Sequence, residues 1–204
     1  MSQVFLLSPA YCGGRRAALL LRPDSEMALA RQLRAETLTL GAAFAFMSGL
    51  YFRGKLSYAT TFGRLNGAPQ GATLVITPTR GLQRPDLPVS AALLQEFASV
   101  DISEDDPRYH RALERDVADL SARLPASTRV ILLGSVATGK YVDVLSPVLG
   151  PRLMYPSSFV GRGDMSRGAL LLRSASAGVE LDYAALETGL RPRGPRPPKL
   201  PKQR

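Results

Sequence analysis

Four apolar runs along the chain are continuous where a half-exposed strand would alternate: "QVFLLSP" near the start, "ATLVITP" at 72–78, "RVILLG" at 129–134 and "RLMYP" at 152–156. Short runs of this kind, bounded by turn residues, predict strands covered on both faces. "VELDY" at 179–183 predicts one more strand at an edge. The intervals between them follow a helical period. Asp24, preceded by Pro23 and followed by Glu26, opens a predicted helix carried by Ala28, Leu29 and Leu33. Over 41–63, Phe44, Met47, Tyr51, Tyr58 and Phe62 make one apolar stripe, with a break expected at Ser48 and Gly49. This stripe reads as core. A short helix follows at 91–97. Asp106 and Pro107 then make a helix start whose apolar face is Leu113, Val117, Leu120 and Leu124. His110, the single histidine, falls on the polar side of that helix and reads as exposed. "YVDVLSPVL" and "ALLLR" complete the helices. Strands alternating with helices predict an α/β fold: one domain over 1–190, with a mostly parallel sheet of four to five strands and helices on both faces, in three layers.

Composition narrows the class. The chain has 204 residues, enough to bury a full core, and 45% apolar with 21% charged residues is ordinary for a globular protein. One cysteine, Cys12, allows no internal disulfide, and no charged-then-apolar leader opens the chain, which points to a reducing, cytoplasmic setting. The longest apolar stretch, "LTLGAAFAFMSGLYF", is too short to span a bilayer, so no membrane is expected. The net charge of +9 sits mostly in residues 191–204, "RPRGPRPPKLPKQR", which hold six basic residues and no acid, leaving 20 basic and 17 acidic residues elsewhere. Such a tail is expected to be disordered. It serves as a solubilising terminus, as an arm on nucleic-acid phosphates, or as a proline-rich docking segment through Pro195 and Pro198.

The chemistry is expected in the loops after the strands, where open parallel sheets bind ligands. These loops are "SPAYCGGRR", "TPTRG", "GSVATGKY" and "YPSSFVGRGDMSRG". They hold Arg15, Arg16, Arg80, Lys140, Arg162 and Arg167 against one acid, Asp164. Gly13, Gly14, Gly134, Ser135, Thr138, Ser157 and Ser158 supply backbone donors and small hydroxyls, a set that favours phosphate. Tyr11 and Tyr155 are the candidates for stacking on a base. "GSVATGKY" nearly matches the phosphate loop of nucleoside triphosphatases, but Tyr141 stands where a Mg²⁺-binding serine or threonine is needed. A triphosphatase is therefore not expected. Neither is a zinc site, a serine–histidine pair, or any bound cofactor.

"LLSP…GG", "SGLYFRGKLSYA", "VITPTRGL", "LLGSVATGKYV" and "GRGDMSRGALLLR" together resemble a family of uncharacterised bacterial α/β proteins, domains of unknown function, over most of residues 4–173. The layout of the strands and loops is also similar to the uracil-DNA-glycosylase-like superfamily. There a final strand ends in His-Pro-Ser; here Tyr155 replaces the histidine, and the first loop lacks the usual acid or asparagine. That resemblance implies nucleotide or nucleic-acid binding (DNA ahead of RNA). It also implies, if the protein is an enzyme, hydrolysis or transfer at a nucleobase or N-glycosidic bond, with Asp164 as the catalytic residue, either a general base or the stabiliser of a developing cation. The alternative expectation is a non-enzymatic module that binds nucleic acid or a protein partner.

Overall fold

The computed structural model describes residues 2–68, 71–102, 106–189 and 191–198. Its centre is a six-stranded sheet made of β1 (Gln3–Leu7), β2 (Thr73–Ile76), β3 (Leu82–Gln83), β4 (Arg129–Leu133), β5 (Leu153–Pro156) and β6 (Tyr183–Ala185). The order across it is β3-β2-β1-β4-β5-β6. The β2-β1-β4-β5 core is parallel, and the two outer strands pair antiparallel. The α/β class thus holds. One strand more than expected comes from β3, two residues just past the loop "TPTRG", and the edge strand expected over 179–183 lies further on, β6 beginning only at Tyr183.

The continuous apolar runs are explained by two hydrophobic layers. In β1, Phe5 and Leu7 join the core on one face while Val4 and Leu6 join the core on the other. The first face is covered by α1 (Arg15–Leu21), α2 (Ala28–Arg34), α3 (Leu40–Ser48), α4 (Leu50–Phe62), α5 (Ala91–Ala98) and α8 (Asp164–Ala177). The second is covered by α6 (Pro107–Arg123) and α7 (Gly139–Leu149). Among the described residues no helix is long and apolar enough to cross a membrane.

Local chemistry sets several boundaries. Gly49 has φ 63° and ψ −127°, a backbone region that glycine enters freely, and it separates α3 from α4 where the break was expected. Asp106 caps α6, accepting the Arg108 N–H at 2.9 Å, with Pro107 in the first turn. The helix expected to open at Asp24 begins instead at Ala28, because the Asp24 carboxylate is engaged by the Arg22 guanidinium. The expected tail divides: 199–204 lie outside the described residues, and 191–198 form no helix or strand. Arg191 pairs with Asp143 there, and Arg193 donates to the Ala137 carbonyl at 3.4 Å.

Candidate functional site

From β1 the chain turns to β2 on one side, and later elements continue from β4 on the other. The carboxyl ends of β1 and β4 therefore lie at a topological switch point, where crossover connections part and leave a crevice. A cleft of about 550 Å³ opens there. Its walls come from the segment after β1 (Ser8 to Ala17), the start of α7 with Ser135, the α3–α4 junction, and Pro78 after β2. Asp164, first residue of α8, and Asp101, just after α5, complete the rim. The volume suits a small organic ligand.

Three helices begin at this cleft. The N-caps of α1, α7 and α8 are Gly14, Thr138 and Gly163, and none supplies a side-chain cap. Their first N–H groups are thus left without the usual side-chain acceptor. Beside them Arg15 and Lys140 line the cleft and form no salt bridge among the described residues. Arg16 also lines it, with Nη1 donating to the Phe46 carbonyl at 3.2 Å. Tyr109 of α6 steadies the start of α7 through a 2.7 Å hydrogen bond to the Lys140 carbonyl.

The floor of the cleft is more unusual. Ser8, the residue after β1, is 5% exposed, and its N–H donates to the Leu133 carbonyl at 3.2 Å. Behind it stands Lys55 of α4, fully buried, with Nζ 2.8 Å from Ser8 Oγ and 2.5 Å from the Ser8 carbonyl oxygen. No carboxylate lies within ion-pair distance of that amine among the described residues. The rings of Tyr51 and Phe52 flank it, 4.4 and 4.9 Å from their centroids. Burial pulls the Lys55 pKa down to about 7; Arg167 adds to the drop and Asp164 opposes it. Tyr51 and Tyr141 also line the cleft. Burial pushes both hydroxyls' pKa values up, and hydrogen bonding to Ser8 offsets part of the rise at Tyr141. Among the described residues the buried Tyr51 hydroxyl has no partner in good hydrogen-bond geometry. Cys12 lines the wall too, but burial raises its thiol to about 12, leaving it an unreactive thiol at neutral pH.

The expected site residues divide into two groups. Tyr11, Gly14, Arg15, Arg16, Ser135, Lys140 and Asp164 meet at the cleft. Tyr11 is 76% exposed, and its ring lies over Gly13, where a Cβ would come within 2.6 Å of the hydroxyl. Gly134 keeps β4 close to β1, since a Cβ there would meet Ser8 Cβ at 3.1 Å. Arg80 is elsewhere, forked onto Glu96 at 2.8 and 2.6 Å. Arg162 donates to the Ser158 carbonyl and Ser166 Oγ. Arg167 is buried, and its Nε and Nη2 donate to the Phe159 carbonyl, with Asp164 3.7 Å from Nη1. Tyr155 is packed into the second core, Ser157 donates to the Asp182 carbonyl, and Ser158 Oγ is buried away from the cleft. Lys55 and Asp101 were missed. Lys55 carries a signal in hindsight, a lysine on the buried side of an aromatic stripe between Tyr51 and Tyr58; Asp101 carries none. Among the described residues no three His, Cys, Asp or Glu side chains gather to hold a metal ion. No family model, curated protein or solved structure matches this chain.

Proposed function

We propose that the switch-point cleft binds a mononucleotide or a similarly sized phosphorylated molecule. The observation that carries this reading is Arg15 and Lys140, without carboxylate partners among the described residues, at a cleft where α7 and α8 start without side-chain caps. Phosphate takes up such N–H groups and cations together. Tyr11, exposed on the rim, offers a flat face for a base. The volume of about 550 Å³ favours one nucleotide over a length of duplex. Two carboxylates, Asp101 and Asp164, share the rim and favour ligands that also present hydroxyl or amino donors, as ribose and bases do.

A thermal-shift titration with AMP, ADP, ribose 5-phosphate and inorganic phosphate tests this. A ligand that binds only the folded state raises the melting temperature with concentration. The nucleotides are expected to raise it in the wild type. The double variant Arg15→Ala/Lys140→Ala should weaken binding by about 2 kcal/mol or more, roughly thirty-fold in Kd. No shift with any of the four overturns the reading.

A further inference from the structure

We propose that Ser8 is a nucleophile and Lys55 its general base, with the Tyr51 hydroxyl donating to the developing oxyanion, in hydrolysis of an ester or other activated acyl group on the cleft's ligand. The phosphorylated nature of that ligand rests on the reading above; the nucleophile and its base do not.

Hydrogen-bond accounting supports the pairing. A neutral amine offers two N–H donors and one lone pair. The Ser8 carbonyl oxygen, 2.5 Å from Nζ, can only accept, so it commits one N–H. Ser8 Oγ, at 2.8 Å, is then placed to donate its proton to the lone pair. In the ammonium form Nζ donates to both oxygens, and the Tyr51 and Phe52 rings face the remaining charge. Both protonation states are therefore accommodated, as a base working near neutrality requires. Lys55 does not line the cleft, and its Nζ stands directly behind Ser8 Oγ, so it exchanges protons with that oxygen and with atoms brought against it but is not placed to form an imine with a substrate carbonyl. Ser8 does line the cleft.

Beside Ser8 Oγ are the Lys55 amine and the Tyr141 hydroxyl, and Tyr51 lines the same cleft; burial holds both hydroxyls protonated. That set suits one oxyanion on an acyl carbon. A transferring phosphoryl group would instead need cations around all its oxygens. The steps balance with water alone. Ser8 Oγ adds to the acyl carbon as its proton passes to Lys55 Nζ. The carbon–heteroatom bond then breaks, and the ammonium returns the proton to the leaving group. Water, giving a proton to Lys55, next attacks the acyl-Ser8 ester. Loss of Ser8 Oγ from carbon, with that proton, yields a carboxylic acid and free Ser8.

The test uses an alkyl fluorophosphonate on the full chain, which transfers phosphorus to a reactive serine with loss of fluoride, and maps the adduct by peptide mass spectrometry. Wild type is expected to carry one adduct, on Ser8. Its rate should rise with pH through about 7 and level off above it, as Lys55 loses its proton with Asp164 and Arg167 of α8 and Tyr51 of its own helix facing the group and Tyr141 of α7 beside Ser8. Ser8→Ala should carry none, and Lys55→Met should react at least about a hundred-fold more slowly. No adduct on wild-type Ser8, or an undiminished rate in Lys55→Met, overturns the proposal. If Lys55→Met does not fold, a wild-type labelling rate that is flat across neutral pH does the same. AMP stabilisation without an adduct leaves the ligand reading standing and removes the dyad. An adduct without AMP stabilisation does the reverse.

Discussion

Among the described residues Lys55 reaches the interior with no carboxylate at ion-pair distance, and its charge is correspondingly costly to keep there. A lysine whose folded pKa lies near 7 and whose free value is 10.5 binds fewer protons folded than unfolded across that interval. Stability therefore rises with pH through the window, by up to about 1.4 kcal/mol per unit, and is lowest below it, where both states hold the proton. Lys55→Met removes the titrating group at similar volume. Urea unfolding at pH 7 and pH 9 should show a gain in wild type of roughly 2 kcal/mol that the variant lacks. An equal gain in both proteins would mean that the amine is not depressed. The stripe of Phe44, Met47, Tyr51, Tyr58 and Phe62 was legible from its spacing, but a lysine beside it reads from sequence as an exposed residue. Its amine is held inward by Ser8, 47 residues earlier in the chain, a contact that the local pattern does not display.

At the scale of elements, α4 owes its position to two glycines. A Cβ on Gly54 would lie 2.6 Å from the Gly168 carbonyl oxygen, and one on Gly168 would lie 2.7 Å from that of Leu50. Backbone thus meets backbone where α4 crosses α8, which brings Tyr51 and Lys55 up against Asp164 and Arg167. Gly54→Ala cannot be absorbed by a side-chain rotation. It should cost about 1–3 kcal/mol in urea unfolding and disturb the cleft as well. A cost within experimental error would mean that the helices separate freely. Asp106→Ala, which removes only the α6 cap, should lower the melting temperature by roughly 2–4 °C and leave the AMP response intact. That cap and the Gly49 break were readable in the sequence because proline, aspartate and glycine act locally. α1 was not: "CGGRR" reads as a turn, and the helix that follows it, "RRAALLL", is held by burying Ala17 and Leu20 against distant residues. β3 escaped notice for the same reason, since two residues form a strand only by pairing with Val75 and Ile76.

Across the whole molecule, positive charge collects in two places that need not serve one ligand. Strand order explains the first: with β1 and β4 central, the loops after them share one crevice, and Arg15, Arg16 and Lys140 arrive there together. The strand-end loops also carry Arg80 and Arg167, whose guanidiniums are taken by the Glu96 carboxylate and the Phe159 carbonyl; sequence displays charge but not its partner. The second collection is the tail, where Arg196, Lys199, Lys202 and Arg204 follow Pro195, whose carbonyl lies against Gly161. Charges on a chain terminus act on nucleic acid through its phosphates, and their contribution falls with salt; a cleft that encloses one nucleotide depends much less on salt. Ending the chain at Pro195 keeps the contacts of Arg191 with Asp143 and of Gly161 with Pro195. Fluorescence anisotropy with a single-stranded oligonucleotide, repeated at several salt concentrations, should then show the log–log slope fall by up to about 3 on truncation, for four lost phosphate contacts. The AMP-induced rise in melting temperature should be the same in both lengths. Loss of the AMP response on truncation would instead make the arm part of the cleft's own ligand site, and an unchanged oligonucleotide slope would leave the arm without a role on phosphates.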